Sequence, residues 1–364
     1  MLKIGIIGAG NISIYHIASY EKNSDCEVTA ICDVNKDLAQ DRAAEYGIAT
    51  VYTDYKALLQ DKNIDAVSIV TPTFTHKDIV IDALRSGKHV LCEKPPALNA
   101  DEVIECEKVA GETGKLLMFA FVCRYRNPQK YLKSFVDSGK MGEFISASCE
   151  RSRRCVNANG WFSNREKGGG VLRDECIHEL DGVMYLMDYP NPVAVMASES
   201  YINSELPDKL SVAGWKSYDK TVAKRNIESA IEGFVTLENG ASVHIKTSAV
   251  LNVLNEKIGF SIYGKNAGAE IVLDENFQPN LKIVELDNNE FKEIAPEFEP
   301  SNDFQEMIDH FADCALNGTQ CNATPHQAAI LMRIIDAMYA QYLSLLFVCI
   351  LLQTRKNISI LQSI

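Results

Sequence analysis

The chain lacks any apolar run long enough to cross a bilayer. Its most apolar stretch, YLSLLFVCILL (342–352), has 11 residues, and a membrane-spanning helix needs about 20. Extended backwards, that run soon meets Asp336 and Arg333. It reads as the end of a buried helix or an oligomer contact, and only distantly as an anchor. An excess of positive charge is missing too: 36 lysines and arginines stand against 49 aspartates and glutamates, a net charge of −13. That balance excludes nucleic acid and an anionic membrane surface as main partners. An anionic cofactor needs only a local site and is not excluded. The 11 cysteines form no CxxC pair, so the chain reads as a cytoplasmic protein with reduced thiols. MLKIGIIGAG has one lysine and a short apolar run that leads straight into glycines, and no secretory leader is expected. There is no internal repeat and no low-complexity tract.

What is present is a globular composition. The 364 residues are 46% apolar and 23% charged, a comfortable size for two domains. Up to about residue 122, short apolar runs alternate with helical patterns. The runs are KIGII (3–7), EVTAIC (27–32), DAVSIV (65–70), HVLC (89–92) and LLMFAF (116–121), with LAQDRAAEY (38–46) and ADEVIECEKVAGE (100–112) between them. Continuous apolar strands alternating with helices predict an α/β domain, a doubly wound parallel sheet covered on both faces. Beyond residue 123 the pattern changes. LENGASVHIKT (237–247) holds a two-residue Asn239-Gly240 turn between alternating strands. FSIYG (260–264), AEIVL (269–273) and LKIVEL (281–286) follow without long helices. A mostly antiparallel sheet is expected in this α+β half. Helical pattern then returns over 302–350, opened by a possible capping box at Asn302 and Gln305.

GAGNIS (8–13) follows the first strand and opens a helix. Gly8 permits a tight turn and Gly10 lets the backbone approach a pyrophosphate. Asn11 and Ile12 begin the helix whose N-terminus would face that anion. Ser13 occupies the third motif position, where close helix–strand packing asks only for a small residue. The second strand ends in Asp33, placed to bond ribose hydroxyls and to repel a 2′-phosphate. NAD is therefore expected over NADP; a glycine turn with no ligand is the plainer alternative. The fourth strand ends in Thr71-Pro72 and the fifth in Cys92-Glu93-Lys94-Pro95-Pro96. Carboxyl ends of strands line the ligand crevice in such sheets, so Thr71, Pro72, Glu93 and Lys94 are candidate cofactor contacts. His76 either meets the nicotinamide side or caps its helix. The two prolines suggest a shaped loop after Lys94.

GGGVLRDECIHELD (168–181) runs three glycines into a helical pattern. Asp174, His178 and Asp181 are spaced to share one helical face. On spacing alone, a solvated stripe accounts for that face more simply than a site does. A metal on these three is not expected, because no further ligand cluster is visible and Lys94 would oppose a cation.

GAGNIS, Asp33, TPTFTH, CEKPP and GGGVLRDECIH stand in an order and spacing by which the chain resembles the Gfo/Idh/MocA oxidoreductases, from residue 1 to about 340. The resemblance implies a Rossmann domain (1–122) and a substrate-binding α/β domain (123–364) with a large open sheet. The outer face of that sheet would make a homodimer or homotetramer. The implied reaction is hydride transfer between NAD(P) and a secondary alcohol or ketone of a sugar, cyclitol or related polyol. Lys94, Asp174 and His178 match the family's catalytic positions. His178 would take the hydroxyl proton, Asp174 would orient its ring, and Lys94 would stabilise the developing oxyanion. Arg124 and Trp161 would contact the substrate, or else be salt bridge and core, as would Arg151 and Arg153. Asp181 has a supporting place at most. Glycoside cleavage with bound NAD, and dinucleotide sensing without catalysis, fit the same resemblance. Retention of Lys94, Asp174 and His178 together disfavours the sensor. Three features depart from the family pattern: Ser13, the tail beyond about Gln341, and Cys176 in place of glycine. If Cys176 crowds the pocket, the substrate would differ from that of better-known relatives.

Overall fold

Short apolar strands and capped helices alternate through the first 121 residues of this computed structural model, which describes residues 1–154, 160–202 and 226–340. The apolar run 342–352 lies outside the described residues. The strands are β1 (Leu2–Ile7), β2 (Cys26–Cys32), β3 (Thr50–Tyr52), β4 (Ala66–Ile69), β5 (His89–Cys92) and β6 (Leu117–Phe119). The helices between them are α1 (Asn11–Tyr20), α2 (Lys36–Tyr46), α3 (Tyr55–Gln60), α4 (His76–Arg85) and α5 (Ala100–Thr113). The strands pair in parallel in the order β3-β2-β1-β4-β5-β6. The winding direction reverses between β1 and β4, where a crevice opens at the carboxyl ends.

Side chains start most of these helices by accepting a helix N–H that would otherwise be unpaired. Asn35 accepts from Leu38 N at 3.2 Å and Asn99 from Glu102 N at 2.9 Å. α1 has no side-chain cap on its first turn. Two elements differ from the sequence expectation. β3 has three residues, too few to show a period. The run 116–121 shortens to β6 because Val122–Tyr125 turns into a 3₁₀ helix.

The second half contains α6 (Asn127–Asp137), β7 (Phe144–Ser152), α7 (Ile177–Leu186), β8 (Pro192–Ser200), β9 (Ala230–Leu237) and β10 (Ser242–Ser248). Then come β11 (Lys257–Gly264), β12 (Ala267–Leu273), β13 (Pro279–Asp287), β14 (Glu290–Ile294), α8 (Asp303–Asn317) and α9 (Pro325–Ala340). The eight described strands form one sheet, β14-β13-β12-β11-β7-β10-β9-β8. Its strands pair antiparallel except β7 with β10. β7 is central, yet FISASCERS puts serines at 146 and 148 on one side, and only Ala147, Cys149 and Ser152 are buried. So little apolar content hides a central strand from a hydrophobicity reading.

The turn at Asn239 also differs from expectation. Gly240 N–H donates to Leu237 O at 3.0 Å, so Glu238 and Asn239 are its central residues. Gly240 alone takes positive φ, +86°. The loop therefore has three residues with a glycine bulge, a form that spares Asn239 the left-handed conformation a two-residue turn demands. At α8, Asn302 accepts from Gln305 N at 3.3 Å. The Gln305 side chain turns forward to Asp309 at 2.8 Å, so only half of the box forms.

The last two helices fold back onto the first sheet. Phe304 on α8 stacks on Tyr15 of α1 with centroids 4.9 Å apart. Asp336 on α9 accepts Ala100 N, at the start of α5, at 2.7 Å. Phe119 N in β6 donates to Ala323 O at 3.1 Å. Among the described residues no helix is long and apolar enough to cross a membrane.

Candidate active site

The crevice begins at the turn after β1. Gly8 has φ +108°, and a Cβ there would lie 2.6 Å from Val70 O; only glycine lets the turn press on the end of β4. A Cβ on Gly10 meets nothing within 4 Å, so the space over the start of α1 is open. Asp33 ties the two strand ends together: Oδ2 accepts Ala9 N and Oδ1 accepts Asn35 N, each at 2.8 Å. Each oxygen keeps a second acceptor position for a hydroxyl. Ser13 is buried and donates its Oγ to Gly10 O at 2.7 Å, which makes a serine acceptable there. Ile12 packs its side chain against the core, beside Asn11 at the first turn of the helix. An open cradle, an uncapped helix start and a carboxylate at the end of β2 fit a dinucleotide.

Thr71 and Pro72 form the next lip. Their carbonyl and hydroxyl oxygens are held in a tight turn: Thr75 Oγ1 donates to Pro72 O at 2.8 Å and meets Thr71 Oγ1 at 2.7 Å. His76 is a correction to the cofactor contacts. Its ring is buried, with Nδ1 at Pro95 O and Nε2 at Thr71 O, each 2.8 Å away. It ties two loops together and neither caps α4 nor faces the crevice. The Glu93 carboxylate likewise turns inward. Its Oε1 meets His16 Nε2 at 2.9 Å and its Oε2 accepts Lys94 N at 3.1 Å. The Lys94–Pro95 peptide is cis.

Across the crevice stands the glycine-rich stretch. Gly170 has φ +125°, and a Cβ there would lie 2.6 Å from Tyr339 Oη and 3.0 Å from the Glu228 carboxylate. Glu228 also accepts Leu172 N at 3.0 Å, so a buried acid anchors the start of the helix. Residues Val171–Cys176 form a π turn before α7. The wider turn breaks the 3.6-residue phase, and the single face expected from spacing is not formed. Asp174 meets Lys94: Nζ donates to the Asp174 carbonyl at 2.7 Å and to Oδ1 at 3.4 Å. His178 Nδ1 lies 3.5 Å from Cys123 Sγ. The expectation that Asp174 orients the His178 ring is thereby corrected: the carboxylate holds Lys94, and the thiol sits at the ring nitrogen. Asp181 turns into the core.

Burial first, then the positive charges of Lys94, Arg151 and Arg126, push the His178 pKa well below its ordinary value. The buried ring is thereby held toward its neutral form. Burial raises Asp174 above the usual carboxylate range, with Lys94 pulling it back. Burial also raises the Cys123 thiol, which keeps its proton.

Arg124 is a further correction. It is 2% exposed and faces away from the crevice. Its guanidinium donates to Asp181 at 2.9 and 2.6 Å, to Gln327 Oε1 at 2.9 Å, and to Asn322 O and Tyr189 Oη. No donor is left for a substrate. Arg151 grips Glu179 through two bonds of 2.8 Å, and Arg153 reaches Glu175 at 3.4 Å. Trp161 stacks on Phe162 with centroids 3.9 Å apart, in the turn preceding the glycines. Cys176 is fully buried. Among the described residues no group of three or more His, Cys, Asp or Glu is placed to hold a metal. Sequence reasoning missed Cys123, Glu228 and the π turn. Cys123 and Glu228 each lie more than 50 residues from the group they bond, and no spacing signals that.

Comparisons with known proteins show the family and the fold. A family described as "Oxidoreductase family, NAD-binding Rossmann fold" matches residues 2–121, and its "C-terminal alpha/beta domain" matches residues 133–342. The chain is 33% identical over 275 residues to D-glucoside 3-dehydrogenase of Escherichia coli K12, covering 74% of this chain and 77% of that protein. It is 30% identical over 250 residues to inositol 2-dehydrogenase of Salmonella typhimurium LT2, covering 67% of this chain and 70% of that one. A solved levoglucosan dehydrogenase in complex with NADH has the same fold, with a TM-score of 0.79 at 20% identity, over 93% of this chain and 96% of that one.

Proposed function

Since the chain belongs to the Gfo/Idh/MocA oxidoreductase family and is an NAD(P)-dependent dehydrogenase, we propose that it moves hydride between NAD and a ring hydroxyl carbon of a sugar or cyclitol. The observation that carries this reading is Lys94, from the first sheet, fixed on Asp174 at the helix that bears a neutral His178. The bound nicotinamide supplies the hydride acceptor or donor. His178 takes the hydroxyl proton at Nε2, the nitrogen turned away from Cys123. Lys94 has three N–H donors and spends two on Asp174. The third is available to the substrate oxygen as negative charge grows there, a contribution of about 3 kcal/mol for one such donor.

NAD is favoured over NADP by Asp33, whose carboxylate stands where a 2′-phosphate would be repelled. Asp33→Ala should weaken NAD binding more than NADP binding, measured by nicotinamide fluorescence; equal effects on the two would remove the specificity argument. The reading itself is tested by offering NAD and NADP with a panel of glucosides, free sugars and inositols and following NADH or NADPH. Turnover of at least one member supports it, and failure to bind either dinucleotide sinks it.

The assembly proposed is a homodimer or homotetramer through the outer face of the larger sheet. Met196, Phe234, Tyr263 and Val284 are exposed there on one side of the sheet, in two neighbouring cross-strand rows. An apolar face of this kind is what a second copy covers. Nine described cysteines carry no disulfide, in keeping with a cytoplasmic location.

A further inference from the structure

A chain of buried hydrogen bonds runs beneath the crevice and ends on the backbone of Lys94. Tyr20 Oη on α1 meets Ser68 Oγ on β4 at 2.8 Å, and Ser68 Oγ meets His16 Nδ1 at 3.3 Å. His16 Nε2 meets Glu93 Oε1 at 2.9 Å, and Glu93 Oε2 accepts Lys94 N–H at 3.1 Å. Tyr20, His16 and Ser68 are fully buried, and Glu93 is 7% exposed.

A carboxylate only accepts, so His16 donates to Glu93 from Nε2. Ser68 Oγ bridges His16 Nδ1 and Tyr20 Oη. Burial raises Tyr20 far above its ordinary pKa, which keeps that hydroxyl a donor. Linked buried hydrogen bonds of this kind strengthen one another.

We propose that His16 and Glu93 are positioning residues for Lys94. The inference rests on the hydride-transfer reading, in which Lys94 touches the reacting oxygen. His16 lies on the helix whose first turn faces the cofactor cradle. Through Glu93 it holds the peptide that enters Lys94, while His76 on α4 holds the following carbonyl, Pro95 O, at 2.8 Å. The Lys94 Cα is thus fixed from both sides, and with it the direction in which Nζ leaves toward Asp174. A buried carboxylate is costly unless fully bonded. A purely structural strand end would be served as well by apolar side chains.

The test uses the full chain with His16→Leu and His16→Gln; the glutamine amide can donate to Glu93 as the ring does. Acetic anhydride labelling of Lys94, read peptide by peptide in a mass spectrometer, reports its pairing with Asp174 without need of turnover. His16→Leu should label severalfold faster at Lys94 than wild type, with other lysines unchanged, and His16→Gln should return toward wild type. Turnover should fall by at least about 10-fold in His16→Leu with NADH affinity and substrate KM little changed, and recover in His16→Gln. Glu93→Gln keeps the volume and removes the carboxylate, and should behave as His16→Leu does if that variant folds poorly. Unchanged Lys94 labelling, or equal losses in leucine and glutamine variants, overturns the proposal. Absence of any polyol turnover in wild type would instead defeat the hydride-transfer reading and leave the labelling result to decide this one.

Discussion

Replacing His178 with alanine lowers polyol turnover by at least about 10²-fold and leaves NADH affinity nearly intact. The ring is the only group proposed to take the hydroxyl proton, and its removal takes no part of the cradle at Gly8, Gly10 and Asp33. The pH dependence follows from the direction of its pKa shift. Oxidation needs the neutral ring, which exists above its pKa. Burial and three nearby cations lower that pKa. In wild type, kcat/KM for oxidation therefore holds steady down past about pH 6.5, the ordinary histidine value, and falls only on further acidification. In His178→Ala that acid limb disappears along with most of the rate. Wild-type turnover in the variant, or an acid limb unchanged by it, would remove His178 from the proton path.

The largest loss of stability is expected one turn further along the same helix. Asp181→Ala should cost about 3–5 kcal/mol, because it leaves the Arg124 charge buried without its carboxylate. The pair is 0% and 2% exposed at its side chains, so water cannot replace the lost acid. Tyr189 and Asn322 remain on the guanidinium but carry no charge. Urea denaturation reads the change as a fall in midpoint. Replacing both members together, Arg124→Met with Asp181→Leu, should restore much of the loss, since two apolar groups leave no uncompensated charge. A single variant within about 0.5 kcal/mol of wild type would show that the pair is solvated in a way the packing does not suggest.

These two expectations show what can be read from sequence and what cannot. The parallel sheet is legible because its strands are buried on both faces and so are apolar throughout. β4 is AVSI with all four residues buried. β7 is not legible, because its solvent side carries serine and its core side only small groups. Asp33 stands at a strand end and can be placed by pattern. Lys94, Asp174 and His178 stand out by family motif, but their geometry does not follow from spacing. The π turn rotates Asp174 away from the phase of α7, and the partner of His178 is Cys123, on the 3₁₀ turn that follows β6. Arg124 reads equally as a substrate contact or as a salt bridge, because it follows a strand end at the crevice. Only the tertiary partner Asp181 reveals that this one is core. Glu93 reads as a crevice acid for the same reason, until His16 is seen to claim it.

The fold-back of α8 and α9 has a consequence for how the protein is made. When the ribosome has completed residue 121, the first sheet has its six strands, but the Phe119 amide has no Ala323 carbonyl to meet. α5 has no α9 beside it, and Ala100 N lacks Asp336. These partners emerge only after the whole second sheet has been synthesised. The cofactor half therefore waits, with an uncovered strand edge and an open helix face, for almost the entire remainder of translation. That interval is when such surfaces attract chaperones or neighbouring nascent chains. A chain cut short before residue 303 keeps all of its glycine turn and its Asp33, and still lacks the helices that close the domain bearing them.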